Sequence, residues 1–125
     1  MVPLKRLPPD IRIRERYIVF SIISEKHFSL EEAVRTIWSS ALQLFGEAGT
    51  SSFHIWIPSN LYNEKRGIGI IRCSHDYVQD IRAALALIKK IDDEPVIIRT
   101  LGVTGTIKAA KTKFLDKKTL EDFSN

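Results

Sequence analysis

The chain has 125 residues, 44% hydrophobic and 27% charged, with a formal net charge of +4 and a pI near 9.3. That length and balance predict one globular domain with an ordinary core. No stretch approaches the roughly 20 apolar residues of a membrane span. A lone cysteine, Cys73, excludes an internal disulfide, and the basic start lacks a signal-peptide apolar block, so the protein is expected to be intracellular and cytoplasmic.

Residues 1–14 contain Pro3, Pro8 and Pro9 and are expected to form an extended basic arm. RYIVFSIIS, from Arg16 to Ser24, reads as a strand rich in β-branched and aromatic residues. Both of its alternating faces are apolar, which places it at the centre of a sheet covered on both sides. Ser29 then precedes LEEAVRTIWSSALQLF, with Glu32 three residues on, as in a capping box. Leu30, Val34, Ile37, Trp38, Ala41, Leu42 and Phe45 recur at helical spacing, and Gly46 and Gly49 are expected to stop the helix.

SFHIWIP (52–58) alternates Phe53, Ile55 and Ile57 against His54 and Trp56, which predicts a second strand ending at Pro58. GIGIIRCS reads as a third strand. A second helix is expected over roughly 76–91, with Val78, Ile81, Leu85 and Ile88 on one face and Ala83, Ala86 and Leu87 leaving its outer side partly apolar. After the acidic turn Asp92-Asp93-Glu94, Pro95 opens a fourth strand, VIIRTL. The order β-α-β-β-α-β predicts an α+β, ferredoxin-like or RRM-like sandwich. Its sheet would be four-stranded and antiparallel, with two main helices on one face and a basic C-terminal helical tail. Residues 15–115 would form this single domain, with 1–14 as the arm and 116–125 as a tail with partial disorder. The second sheet face needs a cover: the tail, the arm or another protein.

Two motifs bear on function. RGIGIIRC (66–73) follows the skeleton of the RNA-recognition motif's third strand, but Ile68, Ile70 and Cys73 stand where aromatic rings would be. Without those rings the sheet loses a base-stacking platform worth about 1–3 kcal/mol per base. Gly102-Val103-Thr104-Gly105 has the GxxG form of a backbone clamp, and equally that of a turn before a helix capped by Thr104 or Thr106. The following TIKAAKTKFL reads as a short helix with Ile107, Ala110 and Phe114 on one side and Lys108 and Lys111 on another. Its N-terminus with those lysines is a candidate phosphate seat; a solvated lysine-rich helix fits the same run. His27, His54 and His75 are not spaced as metal ligands, no catalytic constellation is present, and no cofactor is expected on the protein.

ALALIKKIDDEPVIIRTLGVTGTIKAAKTKFL, extended back through RGIGIIRCSHDYVQDIRAALALI, strongly resembles the archaeal and eukaryotic ribonuclease P protein family known as component 2. The resemblance covers roughly residues 8–115, with VIIRTLGVTGTIK as its specific part. It implies a non-catalytic subunit of an RNA-based endoribonuclease that removes the 5′ leader from precursor tRNA, with Mg²⁺ held by the RNA. It also implies a barrel-type ribonuclease P protein as partner, in a heterotetramer, and contact with precursor tRNA only through the complex. On that basis Arg12, Arg14, Arg16, Arg99, Lys108, Lys111 and Lys113 are expected to contact RNA backbone. Ala83, Ala86 and Leu87, or the open sheet face, would hold the protein partner. Two other readings stand beside this one. A stand-alone structured-RNA-binding protein would share the basic ends. A ligand-sensing module of the same topology would need a glycine-rich turn after the first strand, where this chain has SEKHFSLEE.

Overall fold

The computed structural model describes residues 14–115. Strand β1 (Glu15–Ile23) is followed by helix α1 (Leu30–Ser51), strand β2 (Ile68–Ser74) and helix α2 (Val78–Leu87). A small hairpin of β3 (Lys90–Ile91) and β4 (Glu94–Pro95) leads to strand β5 (Ile97–Thr104) and a short helix α3 (Ile107–Ala110). The main sheet is antiparallel, in the order β2-β1-β5.

β1 is central, as its doubly apolar pattern predicts. Ile18, Phe20 and Ile22 face a core built with Ile37 of α1 and Ile81 and Leu85 of α2. Val19, on the opposite face, packs with Leu61, Ile68, Ile70 and Ala110, and Ile107 and Phe114 lean against that cluster. The start of the C-terminal segment therefore supplies the second cover. Both main helices lie on the first face, as right-handed crossovers require.

Among the described residues the main sheet has three strands and not the expected four. His54 adopts φ 54°, which breaks the extended run of 52–58, and Pro58 cannot donate to a ladder. What remains of that run beside β2 is the Trp56–Arg72 bridge, in which the Trp56 N–H donates to the Arg72 carbonyl at 2.9 Å and the Arg72 N–H donates back at 2.7 Å, together with the Ser74 N–H donating to the Phe53 carbonyl at 2.8 Å. The segment holds the fourth position at the sheet edge without forming a strand.

Other boundaries also shift. The capping box at the start of α1 forms, with the Ser29 hydroxyl accepting from the Glu32 N–H and the Glu32 carboxylate from the Ser29 N–H. Gly46 leaves helical geometry (φ 71°, ψ 177°), but helix resumes beyond it to Ser51. Leu42, placed in the apolar stripe by spacing, is 42% exposed. The second helix is shorter than periodicity suggests. Asp92 and Asp93 both take positive φ (48° and 69°), the geometry of a two-residue hairpin turn, and this draws Lys90 and Ile91 out of the helix into pairing.

β5 carries a bulge opposite Val19 and Phe20, where Val19 pairs with Gly102 but Phe20 pairs with Thr100. The extra residue, Leu101, reverses the alternation of the strand. Ile98 thereby enters the core at 6% exposure, and Arg99 turns to the opposite face, across from Ser21.

Candidate nucleic-acid interface

The face away from α1 and α2 is built in rows across the strands. Trp56, Arg72, Tyr17 and Thr104 form one row. Ile70, Val19 and Gly102 form the next, then Ile68, Ser21 and Arg99. α3 and the wider helical turn after it (Lys111–Leu115) lie over the middle of this face. The seat is specific: a Cβ at Gly102 would overlap Phe114 Cζ and stand 2.9 Å from Cε2, so the Phe114 ring occupies the space a side chain would fill. Gly102 thus serves packing within a strand, and Gly102–Gly105 is not a backbone-clamping loop.

Seating Ile107, Ala110 and Phe114 inward leaves Lys108 and Lys113 exposed and Lys111 half-buried. Lys111 lines a shallow depression of about 580 Å³ with Asn60, Tyr62, Asn63, Glu64 and Lys65. Arg99 is exposed on the same sheet face. Among the described residues none of Arg99, Lys108, Lys111 and Lys113 has a carboxylate at ion-pair distance, whereas Lys26, Arg35, Arg72 and Lys90 each do. These unpaired cations can bind an anion without first giving up an internal partner.

The front arginines are placed differently. Arg16 stands opposite Cys73, on the helix-side alternation of β1, with its guanidinium donating to the Glu15 carbonyl at 2.9 Å. Arg14 is exposed at the strand's start, where its carbonyl accepts from the His75 N–H. Arg12, the rest of the arm and residues 116–125 lie outside the described residues. The α3 N-terminus is too short for a phosphate seat: the helix proper has four residues, and the Thr106 hydroxyl already accepts from the Ala109 N–H at 3.1 Å.

Ile68 and Ile70, at the stacking positions of the RNA-recognition skeleton, are 7% and 0% exposed beneath the C-terminal segment. Sequence reading missed the row beside them. Arg72 lies over the Trp56 ring, 4.1 Å from its centroid, and its Nε is 3.9 Å from Glu15 Oε1. The Tyr17 hydroxyl donates to Glu15 Oε2 at 3.1 Å. Burial, and then the Glu15 carboxylate, push the Tyr17 phenol above its ordinary pKa, so it remains a donor. The signal available in sequence was the placement of Trp56 on the polar alternation of its segment, with Arg72 the one charged residue of β2.

On the helix side, Ala83, Ala86 and Leu87 are exposed, Leu87 at 54%. Leu87 and the exposed Leu44 of α1 line a depression of about 540 Å³ with Arg35, Lys89 and Lys90 at its rim. Cys73 is fully buried, and burial pushes its thiol up to about 11. No three His, Cys, Asp or Glu side chains among the described residues gather as a metal site. No helix among them is long and apolar enough to cross a membrane.

These features define an α+β domain with an antiparallel sheet, helices on one face and a cationic segment on the other. Residues 16–115 match the model of the Rpp14/Pop5 family. Ribonuclease P protein component 2 of Pyrococcus horikoshii is 45% identical over 117 residues, covering 94% of this chain and 96% of that protein. The protein of the same name from Methanobrevibacter smithii is 36% identical, covering 91% and 98%. A chain in the cryo-EM structure of yeast ribonuclease MRP superposes with a TM-score of 0.61 at 11% identity, over 89% of this chain and 85% of that one, a likeness of fold. The chain belongs to the Rpp14/Pop5 family.

Proposed function

We propose that this chain is an RNA-binding protein subunit of ribonuclease P, supporting RNA-catalysed removal of the 5′ leader from precursor tRNA. One observation carries the reading: the packed apolar side of 107–114 holds Lys108, Lys111 and Lys113 over a sheet face that also presents Arg99, with no acidic partner for any of them among the described residues. Such cations displace counterions from a folded RNA and position the protein by its phosphates. Arg12, Arg14 and Arg16 are assigned further contacts to RNA backbone, with Arg16 on the helix-side alternation of β1 and so apart from the lysines. The metal ions and the bond-breaking chemistry belong to the RNA, and the particle works in the cytoplasm.

The helix side is the partner surface in this reading. Ala83, Ala86 and Leu87, with Leu44 across the groove, receive a barrel-type ribonuclease P protein, and two such pairs associate as a heterotetramer. Exposed apolar strips of this kind mark protein interfaces.

The test is the salt dependence of binding to the ribonuclease P RNA. Lys108→Ala and Lys111→Ala should each lower the log–log slope by about 0.7–0.9, and the double variant should reduce precursor-tRNA cleavage by the reconstituted particle. An unchanged slope refutes the assigned contacts. Equal affinity for unrelated structured RNAs, with no stoichiometric protein partner, would favour a stand-alone RNA-binding protein.

A further inference from the structure

The row Trp56–Arg72–Tyr17 has no task in the fold that requires an exposed indole. Trp56 is 49% exposed, although its neighbours Phe53 and Ile57 are buried in the core. Arg72 lies against the ring, and Glu15 steadies Arg72 while accepting from Tyr17. The guanidinium is therefore oriented before any ligand arrives.

We propose that Trp56 and Arg72 form a stacking site for an unpaired RNA base, held ready by Glu15 and Tyr17. This site rests on the RNA-binding role above and specifies which part of the RNA it takes. α3 and Phe114 close the rows containing Ile70 and Ile68, where a base would otherwise lie on the sheet. In the next row Trp56 is 49% exposed and Tyr17 and Arg72 are half-buried, so this row carries the rings that Ile68 and Ile70 lack. Arg72 takes one face of the Trp56 ring, so a nucleobase stacks on the outer plane of the guanidinium or on the other indole face, and either platform accepts any base by its π-face.

The surroundings favour a base over a protein anchor. A protein hot spot sits within a packed, water-excluding patch. Around Trp56 along the chain, Ser51, Ser52, His54, Ser59 and Asn60 are the exposed residues. The other large exposed hydrophobics lie elsewhere: Leu42, Leu44 and Leu87 on the helices, and Ile23, Ile97, Leu101 and Val103 towards the opposite sheet edge. An isolated ring among hydroxyls and amides suits a flat ligand with polar edges.

Trp38, half-buried in α1, and Trp56 are the chain's two tryptophans, so Trp38→Phe leaves Trp56 as the fluorescent reporter. The full-length variant is titrated with a 12-nucleotide oligoadenylate and with a 12-base-pair RNA duplex at equal phosphate concentration. Quenching by the single strand and not by the duplex is expected. In the wild-type background Trp56→Ala should weaken oligoadenylate binding by about 5- to 150-fold, the equivalent of one stacked base, and leave duplex binding unchanged. Trp56→Phe should lose less, and Arg72→Lys, which keeps the charge but not the plane, should lose part of the preference. Near-UV circular dichroism of each variant checks that the core is intact.

Equal quenching by duplex, or no loss in Trp56→Ala, overturns the stacking site. So does shielding of Trp56 from acrylamide by the complex's protein subunits and not by RNA, which would make it a protein anchor. If Lys108→Ala and Lys111→Ala lower the salt slope while Trp56→Ala is neutral, the stacking site fails and the RNA-binding role stands. Failure of the wild-type chain to bind any RNA takes down both.

Discussion

The seat of the C-terminal segment can be tested at Gly102 without touching a lysine. In Gly102→Ala the new methyl overlaps the Phe114 ring, while φ at this position is ordinary for a strand, so the backbone accepts alanine. The obstructing atoms are the far end of a movable side chain, so the ring swings off the sheet. Phe→Ala in a full core costs about 3–5 kcal/mol; Phe114 is half-buried, so losing its seat should cost about 2 kcal/mol. Against that, alanine is better than glycine in a strand by about 0.5–1 kcal/mol. Gly102→Ala should therefore destabilise by about 1 kcal/mol net. In a Phe114→Ala background, where the obstruction is gone, the same substitution should stabilise by about 0.5–1 kcal/mol. The coupling of about 2 kcal/mol is read from urea denaturation of the four proteins in a double-mutant cycle. RNA affinity should fall with Gly102→Ala because Lys108 and Lys111 lose their fixed platform. Additive effects, or a Gly102→Ala penalty that persists without Phe114, would refute the proposed packing.

Gly67 has φ 68°, and a Cβ there would meet the Ile22 carbonyl oxygen at 2.6 Å, so Gly67→Ala should cost about 3 kcal/mol from backbone strain and clash, lowering the thermal midpoint by more than 10 °C. Ser29→Ala removes the hydroxyl that accepts from the Glu32 N–H and should cost about 1 kcal/mol, measured by chemical denaturation. The Cys73 thiol, raised by burial to about 11 from an ordinary 9.0, stays protonated in the folded state when the unfolded chain has already released its proton. The unfolded state then binds fewer protons, so stability should fall as pH rises from about 9 towards 11. Urea midpoints at pH 8, 9 and 10 check the slope, and Cys73→Ala should flatten it.

What the sequence determined alone follows from local rules. The doubly apolar Tyr17–Ile23 run required a central strand covered on both faces. Ser29 and Glu32 marked the start of α1 because a capping box is a four-residue device. Ile107, Ala110 and Phe114 declared an apolar side at helical spacing, and the lysines between them followed to the other side. The specific VIIRTLGVTGTIK run carried the family, which the match over residues 16–115 bears out. What only the tertiary structure decided depends on partners distant in the chain. The bulge that turns Ile98 in and Arg99 out exists because β5 must satisfy both the core and the ladder of β1. Gly102 serves an incoming ring and not a phosphate, since Phe114 crosses the strand there. α2 ends at Leu87, where Ile88 turns extended (ψ 120°), because Lys90 and Ile91 pair with Pro95 and Glu94 across the Asp92-Asp93 turn. The row of Trp56, Arg72 and Tyr17 joins segments separated by tens of residues, and strand register, invisible to periodicity, is what brings those side chains together.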